Sequence, residues 1–315
     1  MTPIISVIIP TFHRPDGAKA AVQSLFAQKN APEFEIILID NDAEASAREV
    51  AKELAKEAES KNINFIYQIE PRPGVANARN TSLKFAKGEF VAFLDDDEVA
   101  FEDWLFKLYQ AHMEIGAEVI FGPIEARFNE GCDKPISYYS DFFSRKFDGE
   151  TRIIEQPWGC GNTLMHRLKV LSGEAPFNID TNETGGEDDL LWRDVIANNY
   201  KFGWAKDAWV YEDVPKSRAN LKYTTMRAFA YGHNTTSQCF DKRNPRYLTG
   251  LYRMAFGAVQ AVALGGLAAV LWMIGHEKRA WAYDKALRGL GKVFWGGPFR
   301  VRIYGTASEY LKKKK

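Results

Sequence analysis

Cysteine is scarce in this chain. Three occur in 315 residues, Cys132, Cys160 and Cys239, an odd number without CxxC spacing or a Cys/His metal pattern. That gives no disulfide framework, fits a reducing compartment, and reads each cysteine as a small buried apolar residue rather than a nucleophile. Net charge is missing too, with 41 Lys+Arg against 41 Asp+Glu. No chain-wide basic field favours nucleic acid, so none is expected as a partner, and no acidic excess favours disorder. The N-terminus, Met1-Thr2-Pro3-Ile4-Ile5-Ser6, has no basic patch, apolar run or small-residue cleavage site. The catalytic part is therefore expected to stay in the cytoplasm. Internal repeats are lacking, and low complexity is confined to Lys312 to Lys315. The length allows one large domain plus an appendage, or two modest domains, with a sizeable core.

What is present is an alternation of strand and helix signals. Ile4 to Pro10 is a β-branched apolar run that reads as a buried parallel strand, and Asp16 is placed to cap a helix over Gly17 to Gln28. A second strand, Phe34 to Ile39, runs into Asp40-Asn41-Asp42, and the Ala/Glu/Lys-rich stretch Ala43 to Ser60 is a helix by propensity. A third strand at Asn64 to Gln68 leads through Pro71, Pro73 and Gly74 to a helix from Val75 to Lys87. A fourth, Phe90 to Leu94, ends on Asp95-Asp96-Asp97, before a helix that starts near Phe101. This order predicts an α/β fold, a doubly wound and mostly parallel sheet with helices on both faces and ligands beyond the strands' carboxyl ends. After Glu118 come a strand at Val119 to Gly122, an aromatic-rich stretch, Pro157 to Asn162, and Gly185-Gly186-Glu187-Asp188-Asp189 opening a helix.

Three adjacent carboxylates after a buried strand repel one another unless a cation or hydrogen bonds compensate them. Asp95 and Asp97, alternate residues of an extended segment, suit ribose or metal contacts, because Mg2+ and Mn2+ take oxygen ligands and complete their shells with substrate phosphates. A solvated acidic turn capping the next helix is the plain alternative. Asp188, beside glycines that allow close approach, is placed to take a proton from an acceptor hydroxyl, or else to serve as a helix cap. Arg14 and Arg79 are candidate diphosphate or base contacts, since the guanidinium fork matches phosphate oxygens.

Five ordered segments, Ser6 to Arg14, Ile39 to Asp42, Gly74 to Asn80, Phe93 to Asp97 and Gly186 to Asp188, together resemble the motifs of family 2 glycosyltransferases over roughly residues 4 to 215. The resemblance implies the GT-A fold, a nucleoside-diphosphate sugar donor, often a UDP-sugar, and inversion at the anomeric carbon. It implies that Thr11 and Asp40 help hold the nucleobase, that Arg79 lies near the nucleotide, and that Asp95 sits by the ribose or metal. Asp97 would ligate Mn2+ or Mg2+, and Asp188 would be the base. Trp158, Gly161, Asn162 and Glu187 fall where the family shapes its acceptor side. Many relatives place a metal-binding His after a late strand, where this chain offers Glu212. The Gln-x-x-Arg-Trp motif of polymerising members is absent, which implies transfer of one sugar. The chain resembles exopolysaccharide-assembly members that act on lipid-linked oligosaccharides.

Met254 to Gly275 is apolar apart from Gln260, long enough to cross a hydrocarbon core of about 30 Å. Arg246 and Arg253, with Lys242 and Arg243, precede it, and Lys278, Arg279, Arg288, Lys292, Arg300, Arg302 and the lysine tail follow it. Both flanks belong on the cytoplasmic side by the positive-inside bias. A re-entrant or interface-lying segment meets that demand, a single pass does not, and a helix packed on protein is the third option. The expectation is a catalytic domain over 1–220 and a helical region over 221–315, meeting membrane lipid through 254–315 at the cytoplasmic face. Two rivals are a sugar-nucleotide nucleotidyltransferase, which needs an early Gly-rich phosphate loop, and a non-catalytic scaffold, which would have lost its carboxylates.

Overall fold

The computed structural model describes residues 2–128, 136–182, 185–240, 245–299 and 301. Cys132, Lys242, Arg243, Arg300, Arg302 and Lys312 to Lys315 lie outside the described residues. Two compact units are formed, one built on Met1–Arg127 and Ser144–Asp213, the other on Phe128–Phe143 and Val214–Ile303.

The first unit opens with β1 (Ile5–Thr11), α1 (Pro15–Phe26), β2 (Phe34–Asp40), α2 (Arg48–Ser60), β3 (Asn64–Ile69), α3 (Val75–Leu83) and β4 (Phe90–Phe93). Then come β5 (Glu98–Ala100), α4 (Trp104–Ile115), β6 (Val119–Phe121) and β7 (Ile124–Phe128), with α5 (Ile136–Phe143) in the second unit. The first unit resumes with β8 (Arg152–Ile154), β9 (Thr163–His166), α6 (Arg167–Val170), α7 (Glu187–Ala197), β10 (Phe202–Trp204) and β11 (Val210–Val214). Eight strands form one sheet in the order β3-β2-β1-β4-β9-β6-β10-β8, and β5-β11-β7 form a small second sheet. β1 to β4 run parallel, as do β6 and β10. β9 is antiparallel to both β4 and β6, and β8 to β10.

The period of two along each strand sorts the core into two faces. Ile5, Val7, Ile9, Ile36 and Leu38 join Val22 and Leu25 of α1, Leu54 of α2 and Trp104 of α4 in one cluster. Their neighbours Ile8, Ile37 and Ile39 join Ala76 of α3 and Leu191, Trp192 and Val195 of α7 in another. Both faces are covered, which is why these strands read as unbroken apolar runs.

Two local expectations are corrected. Asp16 does not cap α1: Pro15 occupies the first turn, where its missing N–H costs nothing, and Asp16 follows within that turn. The helix expected from Ala43 begins at Arg48, because the carboxylates of Asp42 and Asp40 capture backbone N–H groups of Glu44, Ser46 and Ala47 and hold a turn there.

The second unit contains α5, α8 (Leu221–Ser237), α9 (Tyr247–Met273) and α10 (Arg279–Val293). α10 packs against both α8 and α9. A half-buried ion pair lies along it: Arg288 Nε donates to Asp284 Oδ2 at 2.8 Å, and Asp284 also accepts the Tyr138 hydroxyl at 3.3 Å. α9 is the one helix among the described residues long and apolar enough to cross a membrane.

Candidate active site

Parallel pairing of β1, β2 and β4 brings their carboxyl ends together, with Thr11 opposite Asp40 in register and Asp95 two residues past Phe93. Thr11 Oγ1 donates to Asp96 Oδ2 at 2.9 Å, and Arg14 Nη1 donates to Asp96 Oδ1 at 2.6 Å and to Asp97 Oδ2 at 2.9 Å. Arg14 is therefore a counter-ion of the acidic run, and Asp96, the central residue, anchors that run to β1. Burial pushes the carboxyl of Asp96 up, with Arg14 opposing.

Asp40 is fully buried. Its Oδ2 accepts the Tyr67 hydroxyl and the Ala47 N–H, both at 2.8 Å, while Oδ1 is buried with no hydrogen-bond partner. Burial, then the hydrogen bond to Asp40, raises the Tyr67 pKa, so Tyr67 acts there as a donor. Asp40, the register partner of Thr11, thus keeps one buried acceptor oxygen without a protein donor.

Asp95 faces α7 through Arg79. Arg79 Nη1 donates to Glu187 Oε1 at 2.6 Å, and Nη2 lies 3.6 Å from Asp95 Oδ1. The guanidinium is buried over the rings of Phe93 and Phe177, at 5.6 and 5.5 Å. Gly186 takes the cap position of α7 at φ 94°, which leaves Glu187, Asp188 and Asp189 in the first turn. Unpaired amides and the helix dipole favour acids there. Asp188 is half-buried, and its Oδ1 accepts the Asp189 N–H at 2.9 Å. Burial first, and then the charge of Asp189, push the Asp188 carboxyl up.

One short loop touches both acids. A Cβ on Gly159 would stand 3.5 Å from Asp188 Oδ2, and one on Gly161 only 2.7 Å from Asp95 Oδ2 and Glu98 Oε1. Glycine at 161 is what lets Asp95 approach the loop. Trp158, 36% exposed, packs its ring 6.4 Å from that of Trp204, and its carbonyl accepts the Trp192 indole N–H. Asn162 is fully buried at φ 48°; its Oδ1 accepts the Trp104 indole N–H at 2.7 Å, and its Nδ2 donates to Pro123 O and Ala208 O. Asn162→Ala strands an indole N–H and two carbonyls, so a loss of about 3 kcal/mol is expected. Urea unfolding followed by tryptophan fluorescence measures it, and an unshifted midpoint would contradict this role. Glu212 stands opposite Glu98 in the β5–β11 register, and the next residue, Asp213, donates its N–H to Asp97 O at 2.7 Å.

Among the described residues, no three His, Cys, Asp or Glu side chains form a metal cage. The donor set still fits a hard cation held by one or two carboxylates. Burial raises Asp95, Arg79 offsets this, and the charge of Asp97 raises it further, so a cation there relieves repulsion. Such ions commonly take the rest of their shell from substrate phosphates and water.

Comparison with known proteins identifies the family. Residues 6–168, more than half of the chain, match the profile described as "Glycosyl transferase family 2". The chain belongs to glycosyl transferase family 2. A succinoglycan biosynthesis protein, ExoM of Rhizobium meliloti strain 1021, is 31% identical over 231 residues, which cover 72% of this chain and 72% of that protein. ExoW of the same organism, also named for succinoglycan biosynthesis, is 30% identical over 49% of this chain and 46% of its own. Among solved structures, the mannosyltransferase PcManGT of Pyrobaculum calidifontis, in complex with GDP-Man and Mn2+, superposes with a TM-score of 0.58 at 17% identity. That match covers 94% of this chain and 88% of PcManGT. S. aureus TarS residues 1–349 with UDP gives 0.50 at 16% identity, covering 91% and 90%. These likenesses show the GT-A fold.

Two residues of this family 2 glycosyltransferase escape sequence reading. Arg145 is buried and donates to four carbonyls, Gly122 O at 2.8, Gly159 O at 3.0, Gly161 O at 2.7 and Asn162 O at 2.8 Å. It fixes the loop that touches Asp95 and Asp188. Glu98 accepts the Asp95 N–H at 2.9 Å, and its carboxyl is pushed well up by burial and then by Asp95. The Asp95-Asp96-Asp97-Glu98 run was a visible signal for Glu98. Arg145, in an aromatic-rich stretch without a motif, had none.

Proposed function

We propose that this glycosyltransferase moves a single sugar, with inversion, from a UDP-sugar to a hydroxyl of a glycan or lipid-linked oligosaccharide in polysaccharide biosynthesis. The observation that carries this reading is the shared loop: Asp95 and Asp188 flank residues 159–161, with Arg79 spanning from Glu187 to Asp95. That arrangement supports a donor phosphate site and a base on the two sides of one short segment.

In this reading Asp40 accepts an N–H of the base through its unpaired Oδ1, as the uracil imide offers, and Thr11 flanks it. Arg14 lies next to the diphosphate. Arg79 holds Asp95 toward the ribose and Glu187 at the start of α7. Asp97, with Asp95 and more weakly Glu212, would hold Mn2+ or Mg2+, and the ion would supply charge neutralisation for the departing diphosphate. The acceptor oxygen bonds to the anomeric carbon as its proton passes to Asp188, and the C1–O bond breaks with its electron pair leaving on the diphosphate. Inversion follows from attack opposite the leaving group. Trp158 offers a ring face for an acceptor sugar. The names of ExoM and ExoW support polysaccharide assembly, and the TarS complex with UDP supports a uridine donor. Association with a membrane is supported by the length and apolarity of α9.

A nucleotide-release screen of UDP-, GDP- and TDP-sugars with Mn2+ or Mg2+, using membrane lipid extract as acceptor, tests the reading. Release from a UDP-sugar, dependent on metal and extract, is the expected result. Release confined to GDP- or TDP-sugars overturns the donor, and release indifferent to the extract overturns the acceptor class.

A further inference from the structure

Helix α9 has 27 residues, a length of about 40 Å at 1.5 Å per residue. Leu248, Tyr252, Val259, Val262 and Met273 are 69–85% exposed along it. Their spacings are threes, fours and sums of these, which places them on one outer face. The other face is occupied. A Cβ on Gly289 of α10 would stand 2.7 Å from Ala261 N and from Gly257 O, so the two helices meet backbone to backbone. At the midpoint of α9, Gln260 accepts from Lys292 Nζ at 2.7 Å and donates to the Lys285 carbonyl at 2.6 Å.

That midpoint decides between crossing a bilayer and lying on it. If α9 crossed, Lys292 would stand near the hydrocarbon centre, and the neighbouring Asp284–Arg288 pair would be drawn toward it. Each charge there costs about 2.5–3.5 kcal/mol. A surface seat keeps these groups on the protein side and gives the lipid only the apolar face. Charge selects the lipid: exposed Arg246 lies at one end of α9 and exposed Lys278, followed by Arg279, at the other, where Glu277 is the acid that stands beside them.

We infer that α9 lies in the plane of an anionic bilayer, outer face in the headgroup and acyl boundary, with both of its ends on the same side. This rests on the membrane reading above and says how the membrane is met.

Purified full-length protein is floated with phosphatidylcholine vesicles, with and without phosphatidylglycerol. Binding is expected to the anionic vesicles, to weaken as salt is raised, and to fall about tenfold or more in Val259→Asp/Val262→Asp, whose sites are exposed. Pro245→Cys and Glu277→Cys, exposed positions at the two ends of α9, are then treated with an impermeant maleimide outside closed vesicles, with the parent protein as the blank. Labelling of both ends is expected. Bound protein with one end protected overturns the in-plane seat alone and leaves membrane association standing. Absence of flotation with every vesicle overturns the membrane reading itself. A double variant that splits a dimer while floating like the parent assigns the face to a second copy of the chain and overturns the inference.

Discussion

Asp188→Asn is expected to lower kcat by a factor of about 10^2–10^4, the range removed with a general base. The amide fills the same space at the start of α7 and can still accept the Asp189 N–H, so fold and donor affinity should persist. KM for the sugar nucleotide is therefore expected to stay within a few-fold, which separates a lost base from a lost binding site. The wild-type pH profile adds a second check. A base must be ionised, and burial with the Asp189 charge holds Asp188 above its ordinary 3.8. Activity should rise with pH through that raised value. Asp189→Asn removes the repelling charge, lowers the Asp188 pKa and moves the acid limb to lower pH. A limb unmoved by Asp189→Asn, or an Asp188→Asn enzyme of near-normal kcat, contradicts the assignment.

Asp97→Ala is expected to abolish metal-stimulated transfer, with a loss of about 10^2–10^3 in kcat, the scale of removing one preorganised electrostatic element. Binding gives a readout independent of turnover. Calorimetric titration with UDP should show tighter binding in the presence of Mn2+ for the wild type and equal affinity with and without Mn2+ for the variant. Arg14, relieved of the Asp97 carboxylate, still holds Asp96, so the variant should remain folded. If Mn2+ strengthens UDP binding to both proteins alike, Asp97 is not the ligand.

The first half of the catalytic unit was legible because its strands are buried on both faces. Ile5 to Thr11, Phe34 to Asp40 and Phe90 to Asp95 each read as an apolar run closed by a polar residue, and the polar residue is where the candidate site lies. The start of α2 was misread because helix propensity at Ala43, Glu44 and Ala45 says nothing of the Asp40 and Asp42 carboxylates that bind the turn. The insertion of β9 between β4 and β6 joins segments about seventy and forty residues apart, a pairing no local pattern announces. Asp188 stood out beside glycines, whereas Arg145 did not, since its partners are carbonyl oxygens, which every residue carries.

That guanidinium divides the loop at 159–162 into a part that is held and a part that is free to vary. The backbone is tied at three carbonyls, and a lysine, a point charge without the planar fork, could not tie all three. Trp158 stands just outside the tied segment with its ring partly in solvent. If Trp158 meets the acceptor as proposed, position 158 is where acceptor preference can be redesigned while the spacing between Asp95 and Asp188 is kept.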